Sequence, residues 1–248
     1  MTLPWQRAVV VGASSGIGEA IARQLGAAGC RVALVARRQD ALERLADEIG
    51  RDRALVFAHD VTRGDEVRAL FPEICRALGG LDLFVYAAGV MPEVGIDEWE
   101  FAKDRDIVTV NVLGAMAWID QVAQRFERSR GGTLVGISSV AGDRGRRGNP
   151  AYHASKAALD TFLESVRNRV GRVGVKVVTV KPGPVDTPMT RSMARDRLPF
   201  LISADEAARA TLAAAARGAR VAYVPARWRP IMFVLRNVPS AIFQRLDL

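Results

Sequence analysis

One pattern limits what this chain can fold into more than any other, and it repeats along the whole length. Short apolar runs rich in β-branched residues (Ala8–Val11, Val32–Val35, Leu55–Ala58, Leu81–Tyr86, Thr133–Ile137, Val175–Val180 and Val221–Val224) alternate with stretches of helical spacing. The runs are nearly continuous in apolar character, which marks strands buried on both faces. Between them, Ala41, Leu42, Leu45 and Ile49 fall on one helix face, and Val67, Leu70, Phe71, Ile74 and Leu78 on another. Repeated strand–helix–strand units imply parallel strands joined by right-handed crossovers. The sequence therefore predicts an α/β fold, a doubly wound seven-stranded parallel sheet with helices on both faces. No linker, low-complexity tract or repeat interrupts it, so residues 1–248 read as a single domain.

Composition removes several function classes. With 49% apolar residues the chain can bury a sizeable core. Two cysteines, Cys30 and Cys75, make no disulfide framework, and both read as small buried hydrophobes. With only His59 and His153 as histidines, and neither cysteine at ligand spacing, no metal site is expected. No apolar run reaches the roughly 18 residues that would suggest a membrane span. The N-terminal residues lack the pattern of a signal peptide, so a reducing, cytoplasmic location is expected. The net charge is +8, and it is carried mostly by scattered arginines, which argues against nucleic-acid binding. Two local clusters stand out: Arg144, Arg146 and Arg147, and then Arg217, Arg220, Arg227, Arg229, Arg236 and Arg245.

Ligands of such sheets bind beyond the carboxyl ends of the strands. After the first strand comes Gly12-Ala13-Ser14-Ser15-Gly16-Ile17-Gly18, with a helix expected to begin near Ile17. Glycines permit a tight turn and close backbone approach, and the helix N-terminus offers free N–H groups to a pyrophosphate. This placement predicts a dinucleotide site of Rossmann type. The second strand ends in Arg37 and Arg38 with no acidic residue to hold a ribose 2′-hydroxyl. Two guanidiniums there favour a 2′-phosphate, hence NADP(H) over NAD(H). Asp60, followed by Val61, ends the third strand. Its carboxylate has two readings, acceptor for the adenine amino group or cap for the segment that follows.

Tyr152 and Lys156 stand four residues apart at the start of an amphipathic helix and so share a face. A free phenol, with a pKa of about 10, is a poor acid–base group at neutral pH. An adjacent ammonium is expected to lower that value and fit Tyr152 for proton exchange with a carbonyl or alcohol oxygen. Ser139, thirteen residues upstream at the end of the fifth strand, can donate to the same oxygen.

At these residues the chain resembles the short-chain dehydrogenase/reductase family, from about Arg7 to about Thr190. The glycine loop, Ala87-Ala88-Gly89, Asn111, Ser139, Tyr152, Lys156 and Pro182-Gly183-Pro184-Val185-Asp186-Thr187 occur in the family's order. The resemblance implies a catalytic set of Asn111, Ser139, Tyr152 and Lys156. Tyr152 would be the general acid in reduction. Lys156 would hold the nicotinamide ribose and tune Tyr152, and Ser139 would stabilise the developing oxyanion. Asn111 would kink its helix and hold a relay water. It further implies cofactor contacts from Gly12, Ser14, Ser15, Gly16, Ile17, Gly18, Ala87, Ala88, Gly89, Pro182, Gly183, Val185 and Thr187. Tyr-minus-thirteen spacing selects Ser139 over Ser138, whose side chain would alternate to the other side of the strand. Two departures are local: Val11 stands where the family often has Thr, and Ala87 where it often has Asn. His153, about 100° round the helix from Tyr152, reads as a rim residue.

Residues 186–202 mix methionines, Phe200 and arginines and are expected to form a substrate lid or an ordinary surface helix. The amphipathic extension 226–248 has three readings: it packs on the body or a partner subunit, roofs the pocket, or makes peripheral contact with a membrane. The expected activity is that of an NADP-dependent oxidoreductase, moving a hydride between nicotinamide and a small, lipophilic carbonyl or secondary-alcohol substrate, and it has two rivals. One is a 3-oxoacyl thioester reductase with Arg144, Arg146 and Arg147 as rim; the other is a non-catalytic NADP sensor. A homodimer or homotetramer is expected through Asp97–Phe126 and Tyr152–Val170.

Overall fold

The computed structural model describes residues 3–191, 193 and 198–246. Among them the strands are β1 (Arg7–Val11), β2 (Arg31–Ala36), β3 (Ala54–Ala58), β4 (Leu83–Tyr86), β5 (Thr133–Ile137), β6 (Lys176–Pro182), β7 (Val185–Asp186), β8 (Ile202–Ser203) and β9 (Val221–Val224). The helices are α1 (Gly16–Ala27), α2 (Gln39–Ile49), α3 (Val67–Leu78), α4 (Phe101–Val108), α5 (Gly114–Ser129), α6 (Pro150–Val170), α7 (Ala204–Ala216), α8 (Trp228–Asn237) and α9 (Ser240–Phe243). Seven strands form one parallel sheet in the order β3-β2-β1-β4-β5-β6-β9. The order reverses between β1 and β4, and a crevice opens there at the carboxyl ends.

Period-two alternation divides the core. Val10, Leu34 and Val85 face one layer with α1, α2 and α7, while Val9, Val35 and Phe84 face the other with α3, α5 and α6. Leu42, Leu45 and Ile49 of α2 are buried as their spacing predicts, as are Val67, Phe71, Ile74 and Leu78 of α3. Cys30 and Cys75 are free and buried.

Several strand ends differ from the sequence reading by one or two residues, and one strand pair is added. β4 starts at Leu83, not Leu81, because Asp82 turns its carboxylate to the Arg7 guanidinium and to the backbone N–H groups of Gln6 and Arg7. β6 continues through Lys181 to Pro182, since Lys181 is paired within the protein and need not reach water. β7 and β8 pair with each other across the 186–202 segment, a contact with no periodic signature. The positions of that segment at 192 and 194–197 lie outside the described residues.

The C-terminal extension packs on its own chain. Trp228 and Met232 are buried against Val140. Arg144 donates from Nη1 to the carbonyls of Leu235 at 2.7 Å, Arg236 at 3.2 Å and Val238 at 2.5 Å. Its guanidinium also lies 3.9 Å from the centre of the Phe243 ring. Arg144 therefore satisfies carbonyls that the end of α8 leaves open, and it is not the free rim charge that an acidic carrier would need.

Candidate active site

A cavity of about 910 Å³ occupies the crevice. Of the residues expected to meet the cofactor, all but Gly18 line it, together with Ser139. Gly18 is needed behind the loop instead: a Cβ there would sit 2.3 Å from the Gly12 carbonyl oxygen. Gly12 itself has φ +90°, and a Cβ on it would lie 2.5 Å from the Ala88 backbone nitrogen. Ser15 caps α1 without a side-chain hydrogen bond, so the first-turn N–H groups face the cavity uncapped. A glycine cradle that any side chain would fill, set at an uncapped helix start, fits a dinucleotide pyrophosphate.

Arg37 and Arg38 stand at the end of β2 beside this loop. Arg38 donates from Nη2 to the carbonyl and hydroxyl oxygens of Ser14, both at 3.0 Å. Arg37 lies 4.0 Å from Asp60. Asp60 Oδ1 accepts the Thr62 N–H at 3.0 Å in a local turn, but Asp60 caps no helix, because Arg63 and Glu66 precede the next helical turns. Burial opposes ionisation of Asp60, but Thr62 and Arg37 outweigh it and hold the carboxyl below its usual range.

The reacting end is assembled from three elements. Asn149 (φ +47°) caps α6, its Oδ1 accepting the Tyr152 N–H at 3.1 Å, and Pro150 occupies the first turn. Tyr152 and Lys156 are buried on α6, and Lys156 Nζ donates to the Ile137 carbonyl at 3.2 Å. Ser139 lies two residues beyond β5 and caps the turn Val140–Asp143, its Oγ accepting the Ala141 N–H at 3.1 Å. The Ser139 hydroxyl is also within hydrogen-bonding reach of the Tyr152 phenol. Ser138 points the other way, to the Lys156 carbonyl at 3.3 Å, as strand alternation requires. His153 lines the cavity, with its Nδ1 2.8 Å from the Ala141 carbonyl.

Asn111 stands behind these groups in a five-residue π turn, Thr109–Leu113, between α4 and α5. Its Oδ1 accepts the Val90 N–H at 2.8 Å, while Nδ2 donates to the Val90 carbonyl and the Ser155 hydroxyl, each at 3.0 Å. Ser155 Oγ in turn donates to the Tyr152 carbonyl at 2.8 Å. Tyr86 fixes the same turn by donating to the Val110 carbonyl at 2.8 Å. Sequence reasoning missed Tyr86, Ser155 and Asn149. Only Asn149-Pro150, a cap followed by a first-turn proline, carried a readable signal.

The expected lowering of the Tyr152 pKa is not what this geometry gives. Burial pushes the phenol up, and the Ser139 hydrogen bond only partly offsets it. Burial also drives Lys156 down to about 8, against the pull of Asp160 one turn away. A protonated phenol is the form that can donate to a ketone. Lys156 binds its proton less tightly folded than unfolded, so its burial destabilises the fold below about pH 8. That cost fades as pH rises from about 8 toward the ordinary lysine value. The stability advantage of Lys156→Met over the native chain should therefore shrink across this window, as followed by urea denaturation at a series of pH values. An advantage that stays constant or grows with pH would contradict it.

The comparisons agree with this geometry. The family model described as short chain dehydrogenase matches residues 6–198. This chain belongs to the short-chain dehydrogenase/reductase family. It is 33% identical over 183 residues to an uncharacterized oxidoreductase of Staphylococcus aureus strain MRSA252, covering 74% of this chain and 79% of that one. It is 32% identical over the same length to an uncharacterized oxidoreductase of Staphylococcus haemolyticus. A solved structure titled short chain dehydrogenase/reductase family protein superposes with TM-score 0.80 at 28% identity, over 90% of this chain and 97% of the other. This short-chain dehydrogenase is thus an oxidoreductase, and its family works with a nicotinamide dinucleotide.

Beneath the reacting groups of the dehydrogenase lies a buried ionic cluster. Lys181 Nζ is 2.6 Å from Asp143 and 2.9 Å from Asp160. The Tyr223 hydroxyl donates to Asp143 Oδ2 at 2.9 Å, and Arg236 lies 3.8 Å from the same carboxylate. Burial raises the Asp160 pKa even with Lys181 beside it. Burial would lower Lys181, but the two carboxylates outweigh it and hold the ammonium above its ordinary range. The cluster joins the turn after Ser139 to β6, β9 and α8. Trp228 reaches the cavity from α8 and packs so tightly on Gly183 that a Cβ there would meet its Nε1 at 2.0 Å.

Proposed function

We propose that this short-chain dehydrogenase is an NADP(H)-preferring enzyme that interconverts a lipophilic ketone and its secondary alcohol. The carrying observation is the convergence of the Tyr152 phenol, the Ser139 hydroxyl and buried Lys156 in one cavity with the glycine loop. A nicotinamide cofactor held by the glycine loop and Lys156 would supply the hydride. Tyr152, as the catalytic acid, delivers the proton to the carbonyl oxygen, and Ser139 donates to that oxygen as charge develops. Lys156 offers a cation for the phenolate left behind and a donor for ribose hydroxyls. Asn111 holds the Val90 loop against α6 and so keeps Tyr152 in register.

Arg37 and Arg38, with no carboxylate on their own strand end, support the NADP(H) preference. Met91, Val94, Met189, Met193, Leu198 and Trp228 line the cavity beside the charged Glu93 and Arg146, and this apolar share supports a lipophilic substrate. Trp99 and Phe101, 86% and 74% exposed ahead of and on α4, support self-association into a homodimer or homotetramer. Free, buried Cys30 and Cys75 suit a reducing cytoplasmic location.

The test is reduced-cofactor consumption, with NADPH and NADH in parallel, over ketones of rising chain length and 3-oxoacyl thioesters. Turnover that favours NADPH and rises with apolar length is expected. Turnover confined to the thioesters would replace this reading with the acyl-carrier one. NADPH binding with no turnover on any compound would replace it with a sensor.

A further inference from the structure

Arginines are scattered along the chain, but their excess over acidic residues is greatest after Glu206. Residues 207–246 hold seven arginines and no aspartate, glutamate or lysine. With Asp247 included, the segment after Glu206 carries +6 of the net +8. The same segment leaves apolar side chains in water. α8 needs one apolar stripe to pack, and Trp228 and Met232 supply it, with Ile231 and Leu235 half-buried at its edges. Yet its opposite side is apolar too, with Phe233 71% and Val234 61% exposed beside exposed Pro230. Arg229 and Arg236 flank Phe233 at one helical turn on either side. Beyond α8, Ile242 and Leu246 are also exposed, next to Arg245. A helix apolar on both sides but packed on one has an unfilled partner.

The packed side of α8, opposite this surface, carries Trp228 to the cavity. Phe200 packs edge-on against Trp228 with ring centres 5.7 Å apart, and the Arg227 guanidinium lies 4.9 Å from the Phe200 ring centre. We propose that the outward side of α8, continued by α9, seats on an anionic lipid surface. Exposed apolar side chains ringed by arginines match an acyl boundary beneath anionic headgroups. A second copy matches poorly, because a two-fold contact would set one arginine-only segment against another with no carboxylate from 207–246 to answer it. The inference concerns the surface alone and stands apart from the reaction proposed above.

The test is co-sedimentation of the full chain with vesicles of phosphatidylcholine alone and of phosphatidylcholine mixed with phosphatidylglycerol. Binding to the mixed vesicles is expected, weakened at least about tenfold on phosphatidylcholine alone and further reduced by salt. Phe233→Asp combined with Val234→Asp should cut it by about tenfold or more, with thermal unfolding and NADPH binding unchanged, because both side chains already face water. Absence of binding to the mixed vesicles, or equal binding by the double variant, overturns the proposal. So does a vesicle-free outcome in which the native chain forms a larger species in sedimentation velocity that the double variant abolishes, since a second copy would then be the occupant.

Discussion

Tyr152→Phe is expected to lose about a thousandfold of turnover while NADPH affinity stays within about twofold of the native chain. The substitution removes one oxygen and leaves the ring that packs edge-on to His153 at 6.4 Å between centres. The Asn149 cap on the Tyr152 backbone remains, as does the Lys156 bond to the Ile137 carbonyl. Binding and chemistry should therefore separate. A uniform loss of both would show that Tyr152 shapes the cavity and does not carry the proton. Single-turnover kinetics with a ketone found active in the cofactor assay, alongside a fluorescence titration of NADPH, reads both quantities. Turnover within about tenfold of native would refute the acid role.

Lys181→Met should be the most damaging of the buried substitutions for stability, costing about 3–5 kcal/mol. Methionine nearly fills the space of the lysine stem, so packing changes little. What changes is charge: Asp143 and Asp160 are left together in the interior without their shared cation, Asp143 keeping the Tyr223 hydroxyl and the Arg236 guanidinium at 3.8 Å, and Asp160 losing its ion-pair partner. For a chain of this size the loss corresponds to a fall in Tm of roughly 10 °C. A carboxyl whose pKa rises on folding destabilises the fold above its unfolded value, and that cost disappears as pH falls toward that value. Asp160 is already raised with Lys181 present, so the deficit of the variant should shrink as the pH is lowered. Thermal denaturation of both chains over acidic to neutral pH checks this. A deficit below about 1 kcal/mol, or one that does not change with pH, would mean that water or local rearrangement already neutralises the pair.

The parts of the molecule that could be read in advance are those set by covalent periodicity. Strands such as Val32–Val35 and the buried face of α3 follow from spacing alone, and Gly12 and Gly18 follow from the room a tight turn leaves. The parts that could not be read depend on partners distant in sequence. Lys181 looks like the end of a strand until Asp143 and Asp160 are folded against it. The π turn at Asn111 has no compositional mark, and only the family resemblance implies a kink there, because it is held by Tyr86 and Ser155 from other elements. Arg144 looked like surface charge and is consumed by the end of α8. The phenol of Tyr152 was expected to titrate low from its neighbour four residues on, but burial, which a sequence does not display, moves it the other way.

The Arg144 clamp also sets the grain along which this protein can be recombined. The turn that begins at Ser139 and the helices that begin at Trp228 are joined by one side chain reaching three carbonyls and a ring. Residues 139–144 and 228–243 therefore behave as one module split in two by the chain. A chimera that imports a relative's tail without its matching turn would leave a guanidinium without acceptors and a helix end without a donor. One that exchanges both together keeps the joint intact, and the two halves should diversify only in step.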